Sequence, residues 1–126
     1  MTSFLLGHRT LILRLAWICA LITVLVGSLL PGDSTPIEML GALHVNDKVE
    51  HALAYLVLAL LPVLHERVRH AAVIVAAVAA LGVLLEFGQL YSPGRSFDTH
   101  DMIADFVGVA VGTVIGLGLR PMVSRL

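Results

Sequence analysis

His51, Glu86, Asp101 and Asp105 are the side chains of this sequence suited to exchanging protons, and Lys48, Tyr55, Gln89 and Arg95 are those suited to holding a ligand beside them. Imidazole and carboxylates together offer general acid–base chemistry near neutral pH. Arg95 follows a Pro93-Gly94 turn, where a fixed loop aims a guanidinium at a phosphate or carboxylate. His51, Asp101 and Asp105 are also candidate ligands for a divalent cation: oxygen donors suit magnesium, calcium or manganese, and a histidine admits zinc. Asp101 and Asp105 are the one fixed local pair among them, at i and i+4, and the spacing matches no dedicated metal cage.

Each of these residues also has an ordinary structural use. Arg95 can clamp Glu86 or Asp101, since structural ion-pair networks gather the same residue types as active sites. Glu86 is either a base or cation ligand, or a buried acid hydrogen-bonded to Tyr55 or Gln89. Asp47 suits a helix start through capping and the helix dipole. Lys48 either attracts lipid phosphates or snorkels to the interface. Asp98 and His100 read as solvated connector residues.

The elements that carry these groups must be membrane helices. Of 126 residues, 58% are hydrophobic and 13% charged, and the mean hydropathy is +0.94. A soluble domain carries about 25% charged residues. No basic run suits a nucleic acid, and no internal repeat divides the chain. The one cysteine, Cys19, excludes an internal disulfide. There is no P-loop, no G-x-S-x-G and no Cys-x-x-Cys.

A hydrocarbon core about 30 Å thick needs roughly 20 apolar residues per helix. Four windows meet that requirement, at about 10–30, 47–64, 71–90 and 101–119, and together they predict an all-α polytopic membrane protein. A single domain over 1–126, a compact bundle of four transmembrane helices, is the expected architecture. The first window lacks a small-x-small cleavage site before Pro31, so it reads as a retained helix rather than a signal peptide. Arg9, Arg14, Arg67, Arg69, Arg120 and Arg125 all fall on one side, against Lys48 and Arg95 on the other. The positive-inside rule then puts both termini in the cytoplasm of a cell whose inner membrane the chain crosses. The acids, which took no part in that vote, segregate the opposite way, with Glu66 alone among the arginines.

Helical geometry gathers the polar groups into a layer. Asp47, His51 and Tyr55 are spaced by four and share a face; so do Glu86, Gly82 and Ala79, with Gln89 one turn beyond. Asp101, Asp105, Gly108, Gly112 and Gly116 form a third such face, whose two overlapping G-x-x-x-G motifs favour close helix packing. No ionisable residue continues the layer through the inner half of the last three helices, so it is not a relay across the membrane. The stretch from His65 to His70 imitates a zinc-protease motif but has one residue too many, and it reads as a loop.

Asp47-Lys48-x-x-His51-x-x-x-Tyr55, Glu86-x-x-Gln89, Pro93-Gly94-Arg95, and Asp101 followed by Gly108 and Gly112 occur here in that order. Together with the Ser28-Leu29-Leu30-Pro31-Gly32 exit from the first helix, they resemble the VanZ-like proteins. These are small multi-spanning bacterial membrane proteins named for a glycopeptide (teicoplanin) resistance accessory. The resemblance covers nearly the whole chain and implies a role in the bacterial envelope, with glycopeptide sensitivity as one expected consequence. Asp105 departs from it, since family members often have asparagine there. Three functions remain open at this point: recognition of an anionic envelope lipid or cell-wall component, a membrane enzyme acting on a lipid-linked phosphate, and an assembly partner. Membrane lipids are partners in each, and a homo-oligomer is left open.

Overall fold

Helices α1 (Arg9–Leu29), α2 (Asp47–His65), α3 (Val68–Gly88) and α4 (Thr99–Ser124) follow one another along the chain. The computed structural model describes residues 8–29, 47–88, 91 and 99–124. All four helices are long and apolar enough to cross a membrane. Their outward faces carry Leu11, Ile22, Leu53, Val73, Leu84 and Val114, each more than half exposed, as a surface dissolved in lipid requires. The interior holds Tyr55, Leu58, Ala59, Val78 and Val109, with Trp17, Leu21, Val24 and Ile74 packed against them.

In lipid, helices gain little by hiding apolar side chains from one another, so close backbone packing and hydrogen bonds must hold them together. The α2–α4 contact is much the most extensive in the bundle, and α2 also touches α1 and α3. Glycines make that contact. A Cβ built on Gly108 would overlap the Ala52 carbonyl oxygen and lie 2.9 Å from its carbon. On Gly112 it would lie 2.9 Å from the Leu56 Cα, and on Gly116 2.9 Å from the Val63 Cβ. The first two of these turns of α4 rest on the backbone of α2 and the third on the Val63 side chain, the two helices running parallel.

The other end of the bundle is closed by side chains bonded to helix carbonyls. Pro62 lies inside α2 and has no N–H, so the Leu58 carbonyl one turn back loses its helical partner. Trp17 of α1 replaces it, donating from Nε1 to Leu58 O at 2.8 Å. Arg120 Nη1 donates to Val63 O at 2.6 Å, and Arg9 Nη1 to Val123 O at 2.5 Å. Both carbonyls belong to helix C-termini, where the last four acceptors lack intrahelical donors. Arg14 grips Glu66 through two hydrogen bonds, of 2.7 and 3.2 Å.

Two boundaries differ from expectation. Four of the six positions expected as a loop from His65 to His70 are helical: only Glu66 and Arg67 separate α2 from α3, which opens at Val68 rather than at 71. Apolar windows register the hydrocarbon thickness and miss the polar first turn beyond it. Likewise α4 passes through Pro121 to Ser124 instead of stopping near 119. A proline near a helix end is tolerated where water and side chains replace the lost bond.

Two outcomes follow. Replacing Gly108 by leucine should cost about 1–3 kcal/mol or more in detergent thermal unfolding. Gly118→Leu, with nothing within 4 Å of its Cβ position, should stay within about 0.5 kcal/mol of wild type; equal losses would contradict the packing. The Arg14 hydrogen bond, followed by its charge, holds the Glu66 carboxyl below the usual glutamate range, against the opposing effect of burial. A depressed acid contributes stability above its unfolded value and loses it as pH falls through the folded one. The melting gap between wild type and Arg14→Gln should therefore be present at neutral pH and close in acid, below the usual glutamate range. A gap unchanged there would contradict the pairing.

Candidate functional site

The parallel register of α2 and α4 brings the first turns of the two helices side by side, and their polar residues meet. Lys48 forms an ion pair with Asp101. His51 Nδ1 lies 2.9 Å from Asp105 Oδ1, and its Nε2 lies 3.7 Å from Asp101 Oδ2. The imidazole thus stands between two carboxylates that are one turn apart on α4. Asp101 lies in the first turn of that helix, where the helix dipole favours a negative charge.

Exposure falls along each of the two helices. The Lys48 side chain is 39% exposed and that of His51 15%, against 8% for Asp101 and 4% for Asp105. Below them Tyr55 is buried at 2% and Glu86 at 1%. Gly82 of α3 makes room for the floor of the cluster: a Cβ there would lie 3.1 Å from Asp105 Oδ2 and 3.3 Å from Tyr55 Cε1. Glu86 stands one turn from Gly82 on the same helix, and both it and Asp105 lie within electrostatic reach of the Tyr55 phenol. Three helices therefore contribute to a polar layer at one end of the bundle.

Buried carboxylates are costly unless paired. Here the pairing sets what the cluster can do. Asp105 orients the His51 ring, an arrangement that lets Nε2 act as a base when Nδ1 carries the proton. Asp101 fixes the Lys48 ammonium at the mouth. Among the described residues, no three histidine, cysteine or acidic side chains are arranged to hold a metal ion. The ring nitrogens of His51 are divided between Asp101 and Asp105 rather than turned with them towards a common point.

The structure thus brings together Lys48, His51, Tyr55, Glu86, Asp101 and Asp105. Gln89, Arg95 and Asp98 lie outside the described residues, and so does the clamp between Arg95 and an acid. His100 falls in the first turn of α4, exposed, rather than in a connector. Sequence reasoning missed the Lys48–Asp101 pair, because residue spacing within each helix does not reveal the register between helices. Arg14 counted there only towards orientation, although the lone acid Glu66 among the arginines was a signal that one of them had a partner.

A family model described as VanZ/LLP1 matches residues 18–120. The chain belongs to the VanZ/LLP1 family. The match includes all of α2 and α3, most of α1 and α4, and every residue of the polar cluster. With its four apolar spans, this member of the family is a multi-pass membrane protein. No curated protein and no solved structure matched in the corresponding comparisons.

The pairing of His51 makes a specific demand. Asp105→Asn, which keeps an oxygen acceptor for the ring, should fold with near wild-type stability. Asp105→Leu should lose about 1–3 kcal/mol by taking the acceptor from a half-buried ring nitrogen. Thermal unfolding in detergent reads both; equal stability of the two variants would contradict the contact.

Proposed function

We propose that this protein crosses the cytoplasmic membrane of a bacterial cell with both termini inside. In this reading its acid-rich end faces outward and recognises an anionic envelope component, a lipid headgroup or a cell-wall precursor. The observation that carries the reading is the fixed lysine: Asp101 holds the Lys48 ammonium, whose side chain is still 39% exposed, above a buried polar scaffold. A cation held in place before binding loses less freedom when an anion arrives. Arg95 and Gln89 belong to the same reading by their sequence positions and supply a guanidinium and an amide to the ligand. Tyr55 supports the floor. An effect on glycopeptide sensitivity follows where the ligand is a cell-wall precursor.

The Asp105–His51 contact favours a second reading, an enzyme acting on a lipid-linked phosphate with His51 as base. Native mass spectrometry of gently purified protein separates the outcomes. Wild type should retain a defined anionic species that Lys48→Ala and Arg95→Ala lose. Retention of the same species by all three would overturn the recognition reading. Turnover of the retained species that disappears in Asp105→Asn, with binding intact, would establish the enzyme instead.

A further inference from the structure

We infer that the arginine-rich end carries a second site, a cleft between α1, α2 and α3 that takes a phosphate oxygen of an anionic phospholipid headgroup. The site is independent of the acid-rich end. Arg14, Trp17, Pro62, His65, Glu66 and Ile74 line a cavity of about 30 Å³, room for an oxygen-sized group. The His65 side chain is 3% exposed, and its Nδ1 is buried without a hydrogen-bond partner. Glu66 Oε1 lies 3.5 Å from that nitrogen without making the bond. A stranded buried ring nitrogen is costly, and an oxygen entering the cavity removes the cost.

The charge around the cleft selects the kind of oxygen. Glu66 is the strongest charged influence on His65, and Arg14, Arg120 and Arg9 follow it. Glu66 offsets Arg14, to which it is bonded. Arg9 and Arg120 donate to carbonyls, which satisfy donors without neutralising charge. The balance among these groups is positive, so the favoured entrant is an anion. The cleft lies where the apolar span of α2 ends at His65 and that of α3 begins at Val68, the depth of a lipid headgroup. Basic pockets between membrane helices at that depth bind phospholipid headgroups. Trp17 and Ile74 give the lipid an apolar wall.

Trp17 is the chain's one tryptophan, so its fluorescence reports on this cleft directly. The full-length protein in detergent is titrated with phosphatidylglycerol, phosphatidylcholine and inorganic phosphate. Phosphatidylglycerol should give a saturable change, and phosphatidylcholine and inorganic phosphate none. His65→Leu should weaken the response roughly tenfold, the loss of one hydrogen bond to a charged group. Arg9→Gln and Arg120→Gln, which keep a donor for the capped carbonyls, should weaken it as well. Equal responses to the two lipids, or unchanged affinity in all three variants, would overturn the site, leaving water as the cavity's occupant. Saturation by inorganic phosphate alone would assign it to a free anion instead.

Discussion

The backbone contact between α2 and α4 sets the position of everything else. Gly108 and Gly112 leave no side chain between the helices, so α4 lies on the Ala52 and Leu56 backbone, and Gly116 makes room for the Val63 side chain. In a soluble protein such contact would be one contribution beside a large hydrophobic term. In lipid that term is nearly absent between helices, and close packing must supply what it would have supplied. Because the pair is parallel, the same register that seats the glycines also places Lys48 beside Asp101 and His51 beside Asp105. Packing and polar site are one arrangement seen at two depths.

A second constraint shapes the opposite end: backbone groups freed inside the bundle need partners, because lipid offers none. Pro62 frees a carbonyl, and Trp17 from another helix takes it. Arg9 and Arg120 do the same for two helix C-termini. The arginines that define the chain's charge asymmetry thus also tie α1 to α4 and α4 to α2. This leaves the two ends chemically opposite, one built on paired acids and the other on arginines, two of them bonded to carbonyls.

The difference between what the sequence revealed and what it concealed follows from the range of each interaction. Four apolar windows announce four helices, and the G-x-x-x-G face announces a tight partner, since both signals are periodic within one helix. The stripe of His51 and Tyr55 and the stripe of Asp101 and Asp105 were legible for the same reason. Which helix the glycines meet was not, so the Lys48–Asp101 pair lay hidden. Pro121 misled because a proline in the last turns did not end the helix, which runs on to Ser124. Trp17 was silent: its bond answers a defect forty-one positions away in the numbering, at Leu58. Val68 was lost because Arg69 and His70 separate it from the apolar run that starts at Ala71.

The α2–α4 seam holds Lys48 on Asp101 at the polar end of the bundle. A double-mutant cycle of Lys48→Ala and Asp101→Ala, read by unfolding in detergent, tests it most directly. The coupling energy should be about 0.5–1 kcal/mol, since Asp101 is buried while Lys48 is 39% exposed. Additive effects, agreeing within about 0.3–0.5 kcal/mol, would mean that the two side chains do not meet and that the register proposed for the pair is wrong.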